Sequence, residues 1–336
     1  MKKFLFVFSL LLVSYTDGKA IPKEKIIPTV QEKVSDSLKL GKKYLDENNL
    51  KEAEKYLQIA AKEDNTEAQY ILGIVYTRKN DIKSAEKYYK LAADKEDTWA
   101  MNNLGSLYEH QEKYELAEKY YKLASEKGDI FAEYNLGGLY YKQGNRKLAI
   151  KYFKHAANAG SVDSQFTLGN LYAENKKNRA AIKYYKMAID NGNIDAQNNL
   201  GVLYERENKL ELAEKYYKMA AEKNNLNACY NLGVLYESQD KPELAEKYLK
   251  ICADNGDISS QYYLACMYEE EGKMNLAAKY FLKAAQHKDK KLVEKYMIEE
   301  DIEQLYKLIE QKIVNLDDLE EEWYYEFYDK KKYKKV

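Results

Sequence analysis

A five-residue string, Leu-Gly-x-x-Tyr, returns every 32 residues along this chain without an insertion or deletion. The copies run from Leu40-Gly41 to Tyr44, then Leu72-Gly73 to Tyr76, Leu104-Gly105 to Tyr108, Leu136-Gly137 to Tyr140, Leu168-Gly169 to Tyr172, Leu200-Gly201 to Tyr204 and Leu232-Gly233 to Tyr236. An eighth copy, Leu264-Ala265 to Tyr268, carries Ala in place of Gly. A strict period of this length removes most of the fold repertoire. Each unit is too short to bury a core alone, so it must stack on its neighbours. Eight such units account for most of the 336 residues, so the length reflects repetition rather than separate domains.

Each unit holds two helical patterns. With the Gly as position zero, Ala stands at +12 and Tyr at +15 in all eight units, and Leu, Tyr or Phe stands at +16. Position +19 is Ala except for Cys252. Steps of three and four put +12, +16 and +19 on one face of a second helix. Positions -5, -1 and +3 make the matching stripe on a first helix. A mid-helix Gly costs about 1 kcal/mol against Ala, so its recurrence implies a close backbone approach. Between units, Gly128, Gly160, Gly192 and Gly256 precede Asp129, Ser161, Asn193 and Asp257, the usual helix stop and start signals. Within a unit, Lys79-Asn80-Asp81, Gln143-Gly144-Asn145 and Asp240-Lys241-Pro242 read as turns. No alternating strand pattern is present, and the chain reads as all-α.

These residues resemble a known family. Tyr134-Asn135-Leu136-Gly137 through Tyr140 to Asn145, then Ala149-Ile150-Lys151-Tyr152-Phe153, look like the tetratricopeptide repeat. The unit end, Ala-Ala-Glu-Lys-Gly-Asp or similar before Ala-x-Tyr-Asn-Leu-Gly, resembles the Sel-one-like repeat. The resemblance implies a right-handed α-solenoid of antiparallel helix pairs over residues 31–288. It also implies a role as an adaptor or assembly platform rather than a particular partner.

The ends read differently. Residues 1–20 look like a signal peptide, with Lys2-Lys3 before apolar Phe4 to Val13 and small residues around Gly18-Lys19-Ala20. An uncleaved anchor or buried first helix is the competing reading. Cleavage there would leave no transmembrane segment, and the chain is expected to be exported to the periplasm, envelope or medium. Residues 21–30 form a charged lead-in. Residues 289–336 read as capping helices followed by a tail with an acidic, aromatic stretch from Asp317 to Asp329 and a Lys-rich end.

Composition narrows the function classes. With 54 Lys and Arg against 55 Asp and Glu, the chain has no general attraction for nucleic acid. His110, His155 and His287 stand at unrelated positions in their units, away from metal-binding spacing. No cofactor, metal or catalytic constellation is expected. Cys229 and Cys252 fall at the open end of one helix pair and are candidates for a disulfide in an exported protein. Small core thiols are the alternative.

In the tetratricopeptide family the concave groove is lined by first-helix positions equivalent to -6, -3, +1, +4 and +5. Carried over, these give Trp99 and Phe131 at -6, and Tyr70, Asn102, Tyr134, Phe166, Asn198, Tyr230 and Tyr262 at -3. They also give Asn170 at +1, Tyr141 at +4 and Arg78, Lys142 and Arg206 at +5. These positions vary from unit to unit while the packing positions hold still, which marks them as the face for a protein or peptide partner. The aromatics at -3 have a second reading, as packing between adjacent first helices. A glycan-binding or cell-wall hydrolase role is the alternative from another class, with aromatics as sugar platforms. The 34 Tyr then lose most of their mystery: 20 occupy +3, +15 and +16, and four more stand at -3.

Overall fold

The computed structural model describes residues 30–285. The expected signal peptide at 1–20, nearly all of the lead-in, and the capping helices and tail at 289–336 lie outside the described residues. Among those described, the chain forms α-helices in consecutive antiparallel pairs and no strand. The pairs are α1 (Val30–Asp46) with α2 (Leu50–Lys62), α3 (Thr66–Arg78) with α4 (Ile82–Ala93), and α5 (Thr98–His110) with α6 (Tyr114–Glu126). Next come α7 (Ile130–Lys142) with α8 (Arg146–Asn158), α9 (Val162–Glu174) with α10 (Asn178–Asp190), and α11 (Ile194–Arg206) with α12 (Leu210–Ala221). The last are α13 (Leu226–Glu237) with α14 (Pro242–Asp254) and α15 (Ile258–Glu270) with α16 (Met274–Ala285). The chain divides into two compact units after Ala124. In the first unit α2 packs on α1 and α3, and α4 on α3 and α5. In the second, each helix from α7 to α16 packs on its neighbours in sequence.

The turns obey the period as strictly as the helices. Within every pair the residue at +7 has positive φ: Asn48, Asn80, Glu112, Gly144, Lys176, Asn208, Asp240 and Gly272. Between pairs the same conformation falls at +23, on Asp64, Glu96, Gly128, Gly160, Gly192, Asn224 and Gly256. From α2 onward helices therefore start every 16 residues, alternating the two kinds of turn. Asp129, Ser161, Asn193 and Asp257 cap the following helices, each accepting from the backbone N–H three residues on. Pro242 opens α14, where no intrahelical N–H is needed.

The recurrent Gly is explained by a ring rather than by a second backbone. A Cβ on Gly201 would lie 2.6 Å from Cδ1 of Tyr217, and one on Gly73 would lie 2.3 Å from Cδ1 of Tyr89. In each pair the side chain at +16 of the second helix lies flush on that Gly: Leu57 on Gly41, Phe153 on Gly137, Tyr185 on Gly169, Leu249 on Gly233. Ala265, fully buried, shows that the last described pair accommodates one methyl there.

A second contact spans each pair at its other side. The Tyr at +3 stacks on the Tyr at +15 in all eight pairs, from Tyr76 on Tyr88 at 5.4 Å to Tyr268 on Tyr280 at 5.8 Å. The Lys before each +15 ring covers it, as Lys87 does Tyr88 at 5.3 Å. Where the preceding pair offers a Glu at +13, the hydroxyl at +3 reaches it, as in Tyr76, Tyr108, Tyr236 and Tyr268. Tyr236 donates to Glu214 Oε1 at 2.8 Å, and Lys218 donates to the same oxygen at 2.6 Å. Tyr108, Glu86 and Lys90 repeat the arrangement in the first unit at 2.9 and 2.6 Å. This junction bond is what Phe could not supply.

Two outcomes follow from these contacts. Gly201→Val should cost about 1–3 kcal/mol by overpacking, and the cost should be less than additive with Tyr217→Ala when both are measured by thermal unfolding. The second concerns pH. Lys218 beside Glu214, and Lys90 beside Glu86, hold those carboxyls below the usual carboxylate range. A depressed carboxyl stabilises fully above its unfolded value of about 4.3, and that contribution is lost as pH falls through the folded value. The stability gap between the natural chain and Glu214→Gln should therefore be constant near neutrality and close below about pH 4.

Candidate functional site

The face of the first helices turned away from these contacts holds the residues singled out by sequence. In the first unit, Trp99 is 63% exposed and meets the edge of Tyr70 at 6.1 Å. In the second, Phe131 is 71% exposed, and Tyr141 is exposed beyond it. The residues at -3 behave differently. Tyr134 tilts against Phe153 at 5.6 Å, Phe166 against Tyr185 at 6.3 Å, and Tyr262 against Phe281 at 5.9 Å. Each is half-buried on the +16 ring of its own pair, rather than wedged between first helices. Tyr230 meets Tyr263 edge-on at 5.8 Å.

Further along the second unit, α9 and α11 border a cleft of about 330 Å³ lined by Asn170, Ala173, Glu174, Tyr185, Asn199, Val202, Leu203 and Arg206. Its floor is polar and ordered. Asn170 Oδ1 accepts from the Tyr185 hydroxyl at 2.8 Å and from Asn199 Nδ2 at 2.9 Å. Asn199 Oδ1 accepts from Asn198 at 3.2 Å, whose own Oδ1 accepts from Asn231 at 2.9 Å. Burial pushes the Tyr185 phenol up to about 12, so it donates throughout the neutral range. The line of amides thus runs in one direction and ends with Asn170 Oδ1 doubly satisfied. Asn170 Nδ2 finds no acceptor among the described residues. The exposed Arg206 guanidinium beside it makes no ion pair among the described residues. Together they present donors over an apolar rim of Ala173, Val202 and Leu203.

Models of the tetratricopeptide repeat match residues 38–98 and 166–228, 100–129, and 134–159 and 226–254. A Sel1 repeat model matches 258–289. The chain belongs to the tetratricopeptide repeat proteins. Among solved structures it is similar to c5321, a protective antigen of uropathogenic Escherichia coli strains with an SLR fold. The two are 22% identical with a TM-score of 0.58, over 83% of this chain and 68% of that one. The C-terminal part of a TPR repeat-containing protein from Cytophaga hutchinsonii is 19% identical with a TM-score of 0.50, over 70% and 99%. A Sel1 repeat protein from Oxalobacter formigenes is 26% identical with a TM-score of 0.49, over 65% and 99%. No curated protein sequence matches the chain. Repeat scaffolds of these two families typically mediate protein–protein interaction and are generally non-enzymatic.

Seen as a repeat protein, the chain keeps some candidate residues together and separates others. Asn170 and Asn198 join one hydrogen-bonded line, with Asn198 almost fully buried inside it. Asn199, Asn231 and Tyr185 belong to that line and were not among the candidates. The sequence signal for the two amides is Asn at -2, shared by Asn103, Asn135, Asn199 and Asn231, while Tyr185 is the +16 ring of its pair. Cys229 and Cys252 are free thiols buried on α13 and α14, and Cys252 donates to the Tyr248 carbonyl at 3.1 Å. Among the described residues no helix is long and apolar enough to cross a membrane.

Burial separates anchors from core. Phe131→Ala should change thermal stability by less than about 0.5 kcal/mol, whereas Phe166→Ala should cost about 3 kcal/mol by uncovering Tyr185. Calorimetry of the two variants against the natural chain checks this contrast.

Proposed function

We propose that the chain is an exported, non-enzymatic scaffold that binds a polypeptide segment on the first-helix face of its second unit. The observation that carries this reading is the cleft between α9 and α11. Its amide line is fixed by internal hydrogen bonds, so Asn170 Nδ2 is held ready at no further ordering cost, with Arg206 bordering the same cleft. Two outward donors select an acceptor-rich group, which in a polypeptide is a carbonyl or a carboxylate. The apolar rim takes the neighbouring side chain, and exposed aromatics such as Phe131 supply the kind of anchor found at interfaces. Export is supported by the basic start and short apolar run of residues 2–13, and is checked by N-terminal sequencing of the protein recovered from its cell, with Ile21 expected first.

Binding of the full chain to an array of short peptides, each made with a free and an amidated C-terminus, tests the site. Arg206→Ala should weaken the captured peptides about tenfold or more, as loss of a charged hydrogen bond does. Asn170→Ala should weaken them without unfolding the pair. Unchanged affinity in the double variant would place binding elsewhere. Turnover of a β-lactam or cell-wall substrate by the intact chain would overturn the non-enzymatic part.

A further inference from the structure

The second helices differ in how their charges are paired. In α4, α6, α12 and α14 a Glu stands at +13 and a Lys at +17: Glu86 and Lys90, Glu118 and Lys122, Glu214 and Lys218, Glu246 and Lys250. Three of these pairs are closed, at 2.6 Å for Glu86 and Lys90, 2.5 Å for Glu118 and Lys122, and 2.6 Å for Glu214 and Lys218. In α8 and α10 the Glu is replaced by Ile150 and Ile182 while the lysines remain. Position +10 is also basic in both, as Lys147 and Arg179.

The result is a local excess of positive charge in a nearly neutral chain. Residues 142–186 hold ten Lys and Arg against two acidic residues, Asp163 and Glu174. Helix α8 contains no acidic residue, and α10 contains only Asp190 at its end. Lys147, Lys151, Lys154, Arg179, Lys183 and Lys186 are all exposed, and none makes an ion pair among the described residues. On the neighbouring helix, Glu133 sits by His155 at 3.7 Å rather than by these cations.

The two helices present one surface. Lys154 lies 5.9 Å above the ring of Tyr172. Tyr172 stacks on Tyr184 at 5.6 Å, and Lys183 covers Tyr184 at 5.4 Å. The unbroken run from Lys154 through two rings to Lys183 ties the cations of α8 to those of α10. Each helix sets three of them at steps of four and three residues, about 6 and 4.5 Å of axial rise.

We propose that this basic face of α8 and α10 is a second docking surface, and that it takes a short acidic polypeptide segment. Charge complementarity supplies the attraction, and the absence of competing carboxylates leaves it uncancelled. Its extent selects the partner. The patch ends at α12, where exposed Glu211 and the Glu214 pair return, so a longer polyanion would run onto like charge. A bilayer surface would also want an apolar side chain to insert, and those of the patch, Leu148, Ile150 and Ile182, are half-buried between the helices. Single-stranded nucleic acid wants a bare aromatic face, and both faces of Tyr184 are covered.

The test titrates a fluorescent Glu-rich peptide into the full chain, beside phosphatidylserine vesicles and a single-stranded oligonucleotide. Saturable peptide binding that weakens steeply with added salt is expected. The charge reversal Lys151→Glu with Lys183→Glu should reduce it tenfold or more. The same reversal at Lys215 and Lys247, on helices that keep their Glu, should leave it within twofold. Both variants alter exposed side chains, and unchanged circular dichroism confirms that they fold. Equal losses in the two variants, or binding of vesicles or oligonucleotide without the peptide, would overturn the proposal. Arg206→Ala should leave this binding intact, so that it fails or holds independently of the cleft.

Discussion

The seating of the +16 side chain on the glycine of the facing helix is the contact on which the other features depend. Where Gly201 meets Tyr217, the absent Cβ lets a ring lie against helical backbone. That fixes the depth of each pair and, with it, the register of everything else. The +3 and +15 tyrosines can then meet as stacked rings, close to the offset geometry that aromatic pairs prefer. The hydroxyls of Tyr76, Tyr108, Tyr236 and Tyr268, carried to the edge of the pair, reach the Glu of the pair before. One close approach within a pair thus becomes a repeated bond between pairs, which is how short units acquire a shared core.

The period settled most of this from the residues alone. Strict spacing at zero, +12, +16 and +19 located both helices and their buried stripes, and the Gly followed by Asp, Ser or Asn marked the breaks between units. What it could not assign was the partner of each close approach. A small residue signals only that something comes near, and the ring at +16 and a second backbone are equally consistent with it. The positive-φ positions at +7 were hidden for a related reason. Asn48, Glu112, Lys176 and Asp240 occupy them with unlike side chains, because the tight turn constrains the backbone and leaves the side chain in solvent.

The candidate site was less legible, again for physical reasons. Family position pointed to the first-helix face, and Asn170 and Arg206 do border the cleft there. The direction of the amide line depends on which atoms donate, which no spacing encodes. Tyr134, Phe166 and Tyr262 at -3 serve the pair itself, since a ring one turn before the glycine falls beside the +16 ring, whereas Tyr230 meets Tyr263 of the next first helix. Exposed side chains are therefore few on this face, and those that remain, such as Phe131 and Arg206, are free of packing duty. The basic face on α8 and α10 was legible as two missing glutamates, but only against a period already recognised.

We infer that a core fixed by ring-on-glycine contacts leaves the first-helix face of the second unit to recognise a polypeptide. Amide hydrogen exchange of the full chain, with and without a peptide selected by its affinity, tests this most directly. Slowed exchange at the α9 and α11 segments, residues 162–174 and 194–206, is the predicted result. Slowing confined to the second helices, or to residues before Ala124, would contradict it.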